Sequence, residues 1–297
     1  MTDCELSIVL PARNEAPALE KLLPVLRERF ATAQIIVVND GSTDDTSALC
    51  ARCGVEEVRH RYGVGNGGAV KSGARAARGR VIVFMDADGQ HDPADIPRLL
   101  TRLNEGYDMV VGARDGASQA SVGRSLANRL YNRIASYMTG QDIPDLTSGF
   151  RAVRADKFRE FLFLLPNGFS YPTTITMAFF RAGYGVAYEP IVAARRTGRS
   201  HIRPLHDGAR FLLIIFRVAS LYSPLKIFAP LSALSFAGGL LNYLHTYTAH
   251  GRFTNASAVL FTTAVVVFLM GLISEQITTL LYAIAAVGRR DADKADG

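Results

Sequence analysis

The chain has 297 residues, of which 48 % are hydrophobic and 20 % are charged, and it contains 26 glycines and three cysteines. This composition excludes a collagen, an intrinsically disordered chain and a small scaffold held together by disulfides. The net charge of +6 is unevenly distributed, since residues 1–110 carry −3, residues 111–226 carry +9 and residues 227–297 carry none. The basic excess therefore lies in the middle of the chain, where most basic residues are arginines, which suit bidentate binding of phosphate.

Short apolar runs alternate with helical patterns along the first 112 residues. The first run, ELSIVL, has no basic region before it and is too short for a signal peptide, so it is predicted to be a strand. We predict strands at Leu6–Leu10, Ile35–Val38, Val55–Val58, Val81–Met85 and Met109–Val111. We predict helices at Ala16–Phe30, Thr43–Cys53, Gly68–Arg78 and Pro93–Asn104. Ser42 and Asp45 have the spacing of a capping box for the second helix. This alternation is typical of an α/β domain with a parallel sheet covered on both faces.

The next part of the chain is more irregular. A helix is predicted from about 121 to 139, a polar stretch follows at Asp142–Arg151, and a strand is predicted at Val186–Val192. Within residues 205–225, the apolar run FLLIIF is flanked by Arg210 and Arg217. Because these arginines are seven residues apart, they lie on one helical face, which favours an amphipathic juxtamembrane helix at the bilayer surface.

Two long uncharged segments follow, and they predict a transmembrane hairpin. Ile227–Leu244 and Thr254–Ser274 contain no charged residue, and about 20 apolar residues suffice to span a bilayer. We expect helices at about 227–247 and 254–275, with Glu275 near the cytoplasmic interface. A pair of buried helices in a soluble domain is the alternative. Basic residues flank both outer ends of the hairpin, so the positive-inside rule places both termini in the cytoplasm, including the tail 289–297.

Three acidic clusters fall at the carboxyl ends of predicted strands: LPARNE (10–15), NDGSTDDT (39–46) and MDADGQHD (85–92). In an open parallel sheet these ends border one crevice, so Glu15, Asp40, Asp86 and Asp88 are expected to meet there. The side chains of Asp86, Asp88 and Gln90 offer oxygen ligands suited to Mg²⁺ or Mn²⁺. A capped turn carrying solvated acids is the alternative.

These motifs, in this order and spacing, resemble glycosyltransferase family 2, whose nucleotide-sugar-binding fold is called GT-A. The later DLTSGFR (145–151) and the terminal hairpin are similar to the polyprenyl-phosphate members, the dolichol-phosphate mannose synthase group. The resemblance covers about residues 5–200 by motif and 205–288 by architecture. It implies a GT-A catalytic domain at 1–204, a juxtamembrane helix at 205–225 and two transmembrane helices within 226–288.

The resemblance also implies roles for individual residues. The donor nucleotide sugar would be bound by Pro11, Arg13, Glu15, Asp40, Lys71, Asp86 and Asp88, and the metal by Asp86, Asp88 and Gln90. The acceptor phosphate would be bound by Arg114, Arg124, Asn128, Ser148, Arg151, Arg196 and Ser200. The residues expected to carry catalysis are Asp88, Arg114, Arg124 and Asp145. For Asp145, orienting an arginine and acting as a structural N-cap are both open.

The segment GVGNGG (63–68) satisfies a rival pattern, G-x-G-x-x-G, which is typical of dinucleotide-binding enzymes. In those enzymes the pattern belongs in the first strand–helix turn, which here is LPARNE. We therefore expect a donor-binding loop with Lys71 nearby rather than an NAD site. Nucleic acid is not an expected partner, because a basic block beside a bilayer hairpin is better placed for a lipid phosphate.

The sequence as a whole predicts inverting transfer of a hexose from a nucleotide diphosphate sugar, such as GDP-mannose or UDP-glucose, to a membrane polyprenyl phosphate. The expected location is the cell membrane of a prokaryote, and a homo-oligomer is left open. One alternative is a family 2 enzyme that uses UDP-N-acetylglucosamine or another acceptor. A membrane protein that only binds nucleotide sugar is the non-enzymatic alternative.

Overall fold

The computed structural model describes residues 5–114, 122–168, 170–192 and 222–295, with the side chains of 122–128 and 284–295 left out. The chain divides into two units, Met1–Gly208 and Ala209–Gly297. Most of the amphipathic helix expected at 205–225 lies outside the described residues. That helix, and domain limits at 204, 225 and 288, stay predictions.

One sheet of seven strands runs through the described part of the first unit, in the order β3-β2-β1-β4-β6-β5-β7. The strands are β1 (Leu6–Ala12), β2 (Gln34–Asn39), β3 (Glu56–Arg59), β4 (Val81–Phe84), β5 (Met109–Arg114), β6 (Arg151–Arg154) and β7 (Val186–Ile191). Strand β6 runs antiparallel to β4 and β5, and the other neighbouring pairs are parallel. The α/β class is confirmed. The prediction of a wholly parallel sheet is wrong, because after the 142–150 segment the chain enters β6 in the direction opposite to β4 and β5.

Helices flank the sheet of the first unit. They are α1 (Ala16–Arg29), α2 (Thr46–Cys53), α3 (Asn66–Ala76), α4 (Ile96–Asn104), α5 (Val122–Thr139), α6 (Ala155–Arg159) and α7 (Tyr171–Arg181). Helix α3 packs so closely on the sheet that a Cβ on Gly73 would overlap the side chain of Val9. Helix α2 starts at Thr46 rather than Thr43, because the Ser42 hydroxyl accepts a hydrogen bond from Asn14 N–H (3.0 Å) instead of capping the helix.

The strand order places β1 beside β4 at the centre of the sheet. The chain winds outward from β1 to β2 and β3, and then continues on the other side of β1 with β4. Such a reversal opens a crevice outside the carboxyl ends of the two central strands, where open α/β sheets bind their ligands. The fold therefore provides a site next to the segments that follow β1 and β4.

The second unit contains two long helices, α8 (Leu225–His250) and α9 (Asn255–Ala295). The segments Leu225–His250 and Asn255–Ala283 have mean hydropathies of 1.4 and 2.4 and are long enough to cross a bilayer. Only 11 % and 17 % of their most apolar windows are buried, which argues against the alternative of core helices in a soluble domain.

Close contacts hold α8 and α9 together. A Cβ on Gly271 would lie 2.5 Å from Cβ of Phe228, and Ser232 Oγ donates a hydrogen bond to the carbonyl of Ala264 (2.7 Å). The Glu275 carboxylate accepts hydrogen bonds from Ser223 Oγ (3.0 Å) and Leu225 N–H (3.2 Å). Glu275 therefore lies level with the first residues of α8, at the end of that helix rather than at its middle.

Candidate active site

The candidate site lies at the carboxyl ends of β1, β2 and β4. Pro11 is the last residue but one of β1, and Arg13 and Glu15 follow that strand. Asp40 follows β2 directly, and Asp86 comes two residues after β4. Because parallel strands end at the same edge of a sheet, the fold brings these three segments to one crevice.

The segment from Asp86 to Gln90 forms a tight turn at this crevice. Asp88 Oδ1 accepts a hydrogen bond from Gln90 N–H (3.1 Å), and Gly89 has a φ of +74°, a conformation that other residues rarely adopt. The turn therefore keeps two carboxylates and one amide close together in sequence and space.

The protein environment is unfavourable for the charge on Asp86. Desolvation by the surrounding residues raises the pKa of Asp86, and the neighbouring charge of Asp88 raises it further, while His91 and Arg114 lower it. Desolvation likewise lowers the pKa of His91, whose ring stacks on Phe150 at a centroid distance of 4.9 Å. A bound cation would stabilise the negative charge of two adjacent carboxylates in such surroundings.

The donor set of this turn fits a hard divalent cation. The described residues contain no cluster of three or more His, Cys, Asp or Glu side chains poised around one point, so the protein alone does not enclose an ion. Mg²⁺ usually keeps several waters and is bound by one or two carboxylates together with substrate phosphates. The oxygens of Asp86, Asp88 and Gln90 match that mode of binding.

Arg114 and Asp145 form a bidentate ion pair beside the turn. Arg114 Nε and Nη2 donate to the two carboxylate oxygens of Asp145 at 2.7 and 3.0 Å, and Nη2 also donates to Thr147 Oγ1 (2.7 Å). Asp145 Oδ1 also accepts the N–H groups of Thr147 (3.0 Å) and Ser148 (3.1 Å). Although burial opposes it, the bonds from Arg114 hold the pKa of Asp145 below its usual range. Asp145 therefore orients an arginine, and its bonds to the Thr147 and Ser148 N–H groups close a turn rather than cap a helix, since strand β6, not a helix, follows it.

The DLTSGFR segment lies directly against the acidic turn. A Cβ on Gly149 would lie 2.8 Å from Asp86 Oδ2, so this backbone touches the carboxylate. Ser148 and Arg151 are both fully buried. The Arg151 guanidinium donates to the carbonyls of Pro172 (3.2 Å) and Ser148. Assigning Arg151 to the acceptor phosphate is therefore wrong, because its side chain faces the interior.

The Asp40 carboxylate holds the glycine-rich loop in place. It accepts hydrogen bonds from the N–H groups of Val64 (2.7 Å) and Gly65 (2.8 Å), and His60 Nδ1 lies 2.7 Å from Oδ1. Despite the opposing effect of burial, these contacts lower the pKa of Asp40. Nε2 of His60 lies 2.8 Å from Ser72 Oγ, which ties the loop to α3. Asp40 borders the crevice mainly as the anchor of this loop.

Another segment of the chain occupies the N-terminus of α3. Gly67 and Gly68 donate their N–H groups to the carbonyls of Gly168 (3.3 Å) and Asn167 (3.0 Å). Lys71 Nζ donates to the Leu165 carbonyl (3.1 Å) and to Asn167 Oδ1. The expected donor contact of Lys71 is therefore wrong in this structure, and the glycine-rich loop offers these N–H groups to protein rather than to a dinucleotide.

The structure gives less information on the remaining residues that were predicted to bind donor or acceptor. Arg124 and Asn128 lie in α5, where only the backbone is described, and Arg196 and Ser200 lie outside the described residues. Arg13 is exposed and its guanidinium lies against Gly63 of the glycine-rich loop. The roles of these residues stay predictions.

Asn66 and His91 also adjoin Asp86, although neither was among the residues predicted from the sequence. The Asn66 amide hydrogen-bonds to the carboxyl group of Asp86, and His91 Nε2 lies 3.9 Å from Asp86 Oδ2. His91 was visible in MDADGQHD as a possible neighbour of the acidic turn. Asn66 carried no such signal, because only the fold brings the start of α3 next to β4.

Two segments of the chain match described protein families. Residues 7–162 match Glycosyl transferase family 2, and residues 223–280 match the GtrB C-terminal hairpin. The first match includes β1 to β6 and the acidic turn. The second begins at Ser223 and takes in α8 and most of α9.

The chain is similar in sequence to several sugar transferases. The chain is 29 % identical over 239 residues to "Glycosyltransferase AglJ" of Haloferax volcanii, with 78 % of each chain covered. It is 29 % identical to "Dolichyl-phosphate hexose transferase" of the same organism, over 69 % of this chain and 90 % of that one. It is 32 % identical to an "Undecaprenyl-phosphate 4-deoxy-4-formamido-L-arabinose transferase" of Klebsiella pneumoniae, with 50 % of this chain matched and about half (49 %) of that longer relative covered.

Solved structures share the fold of the first unit. Glucosyl-3-phosphoglycerate synthase from Mycobacterium tuberculosis, in complex with Mg²⁺ and UDP, is similar with a TM-score of 0.58 and 25 % identity, over 73 % of this chain and 79 % of that one. The complex of the same enzyme with Mn²⁺, UDP and glucosyl-3-phosphoglycerate has a TM-score of 0.58 at 24 % identity. These neighbours identify the GT-A fold.

Proposed function

This chain belongs to glycosyl transferase family 2, a family of sugar-transferring enzymes, and we propose that it transfers a hexose from a nucleotide diphosphate sugar to a membrane polyprenyl phosphate. The donor is of the GDP-mannose or UDP-glucose type. An oxygen of the acceptor phosphate attacks the anomeric carbon, the bond from that carbon to the diphosphate oxygen breaks, and the nucleoside diphosphate leaves with inversion. The product is a polyprenyl-phosphate sugar for later glycosylation steps.

The observation that carries the proposal is an acidic turn and a half-buried arginine interacting in one crevice. The turn 86–90 supplies carboxylate and amide oxygens, and Arg114 is close enough to Asp86 that each affects the pKa of the other. The relatives named as dolichyl-phosphate and undecaprenyl-phosphate transferases support a lipid phosphate as the acceptor.

The proposed division of labour follows from the charges. Asp86, Asp88 and Gln90 would hold Mg²⁺ or Mn²⁺, which when bound stabilises negative charge on the departing diphosphate. A phosphate monoester has a second pKa near ~6, so the acceptor is mostly ionised at neutral pH and needs no strong general base. The protein must instead bring two anions together. Arg114, fixed by Asp145, offsets part of their repulsion, and Arg124 and Arg196 are proposed to assist it.

The hairpin is proposed to keep the enzyme at its lipid substrate. Tethering a catalytic domain to the bilayer raises the effective concentration of a membrane acceptor. Basic residues flank both ends of the hairpin in the sequence, which supports a cytoplasmic location of both termini and of the catalytic domain in a prokaryotic membrane. Reporter fusions at the C-terminus and within the 251–254 turn would test this topology.

The test is a transfer assay with the full chain in membranes. GDP-mannose, UDP-glucose and UDP-N-acetylglucosamine, each radiolabelled in the sugar, are offered with polyprenyl phosphate, and label is counted in the organic and aqueous phases. We expect organic-phase label from one donor, its loss with EDTA, and a fall of at least about 100-fold for Asp88→Ala. Asp156→Ala, which removes an exposed carboxylate of α6, is the matched control and should retain activity.

Each outcome of this assay has a distinct meaning. Turnover that survives both EDTA and Asp88→Ala contradicts the metal assignment. Label that enters only a water-soluble product contradicts the lipid acceptor. Donor binding without transfer from any of the three sugars favours the non-enzymatic alternative.

A further inference from the structure

Three residues that adjoin Asp86, or the Gly149 backbone that touches it, each have a buried polar atom with no hydrogen-bond partner among the described residues: Asn66 Oδ1, His91 Nδ1 and Ser148 Oγ. His91 is 7 % exposed and Ser148 is fully buried. Buried polar groups in proteins are almost always paired. Unpaired atoms on residues next to Asp86 therefore mark a place for polar groups that the protein itself does not supply.

The orientation of each side chain identifies the kind of group that is missing. The Asn66 amide nitrogen faces the Asp86 carboxylate, so its carbonyl oxygen is the free acceptor. His91 Nε2 is the nitrogen nearest Asp86, at 3.9 Å, so Nδ1 lies on the other side of the ring and points away from that carboxylate. Ser148 Oγ can also accept. An occupant that satisfies these atoms must donate hydrogen bonds, which the oxygens of a diphosphate cannot do.

Water bound to a divalent cation is such a donor. Mg²⁺ retains several waters when few protein carboxylates bind it, and the turn 86–90 offers only two carboxylates and one amide. Groups that hydrogen-bond metal ligands orient them and are needed for full metal affinity.

We propose that Asn66 and His91 are positioning residues of the metal site, which orient Asp86, and that Asn66 also accepts a hydrogen bond from metal-bound water. Ser148, in the DLTSGFR segment that touches Asp86, offers a further buried acceptor. The assignment rests on the proposed function, because it takes the turn 86–90 as the place where the cation binds. It adds two residues to the three proposed metal ligands: His91, which follows the turn, and Asn66, which begins α3.

The test measures Mn²⁺ binding to the full chain in detergent, by the electron paramagnetic resonance signal of free Mn²⁺, with no nucleotide sugar present. His91→Phe keeps a ring that can stack on Phe150 and removes both nitrogens, and Asn66→Ala removes the amide. We expect each to weaken Mn²⁺ affinity by about 10-fold or more. His91→Asn and Asn66→Ser restore polar atoms and should recover part of that loss. Asn104→Ala, at the exposed end of α4, is the control.

The results separate this inference from the proposed function. Wild-type protein that binds no Mn²⁺ contradicts the metal assignment itself. If folded His91→Phe and Asn66→Ala bind Mn²⁺ as tightly as the wild type does, the role of Asn66 and His91 is overturned while the metal assignment stands. Unchanged Mn²⁺ affinity with weaker binding of a nucleotide sugar, but not of the free nucleoside diphosphate, would show that the unpaired acceptors serve sugar hydroxyls instead. If His91→Phe or Asn66→Ala fails to fold, the Mn²⁺ affinities of His91→Asn and Asn66→Ser decide: affinities equal to wild type overturn the inference.

Discussion

Replacing Asp145 by Asn should destabilise the catalytic unit and disable Arg114 together. The carboxylate is 6 % exposed and the guanidinium 29 % exposed, and they share two hydrogen bonds of 2.7 and 3.0 Å. An amide of the same size can still accept from the Thr147 and Ser148 N–H groups. However, it presents at least one N–H donor to the guanidinium and leaves the positive charge of Arg114 unpaired.

The magnitude follows from the burial of the pair. Breaking a fully buried ion pair by removing one partner destabilises a protein by about 3–5 kcal/mol. Because Arg114 can regain some water, we expect about 2–3 kcal/mol for Asp145→Asn, which lowers Tm by about 4–12 °C for a unit of this size. Loss of the oriented guanidinium should reduce kcat/KM for the acceptor by about 100-fold.

The assay compares Asp145→Asn with Asp142→Asn, which removes an exposed carboxylate from the same segment. Thermal unfolding and sugar transfer are measured for both at neutral pH. The lowered pKa of Asp145 means that its stabilisation is complete above the unfolded value of about 3.9 and is lost as pH falls through the folded value. The gap in Tm between wild type and Asp145→Asn should therefore narrow below about pH 4. Identical Tm and kcat/KM for the two variants at neutral pH would contradict the stabilising role of the Arg114–Asp145 pair.

Two further substitutions test contacts within the site. Gly149→Ala should weaken Mn²⁺ binding by about 10-fold, because its Cβ would displace the Asp86 carboxylate, whereas Gly238→Ala in α8, with nothing near its Cβ, should not. Equal affinities would contradict the contact. Lys71→Met should lower stability by about 1–3 kcal/mol through loss of its bonds to Leu165 and Asn167, as measured by Tm, and leave the Kd for the nucleoside diphosphate unchanged. A large rise in that Kd would restore Lys71 to the donor site.

Elements with a clear hydrophobic period were predictable from the sequence, and others were not. Strands β1, β2, β4, β5 and β7 and helix α1 follow apolar runs or amphipathic patterns. Strand β3 lies within one residue of the strand predicted at Val55–Val58, although three of its four residues are charged. Strand β6 was missed because it has four residues and begins and ends with arginine. Helix α7 was missed because residues 171–179 are all buried, so the helix lacks the polar face that reveals a helical period.

The site was predictable where strand order alone decides proximity. The acidic segments after β1, β2 and β4 meet because parallel strands share an edge. Lys71 was misassigned because its partners lie about 95 residues away in the sequence. Arg151 was misassigned because its direction depends on β6, whose antiparallel pairing turns the side chain towards α7. Such errors concern long-range packing, to which local patterns are blind.

The bond between Glu275 and the start of α8 has a consequence for how the hairpin is made. The first N–H of α8, that of Leu225, donates to a carboxylate that lies 50 residues later in the chain. During synthesis the first apolar helix therefore emerges before its cap exists. The Leu225 N–H gains this partner only once the second helix has been made, whereas the N–H groups of Lys226, Ile227 and Phe228 bond to the nearby carbonyls of Ser223 and Pro224.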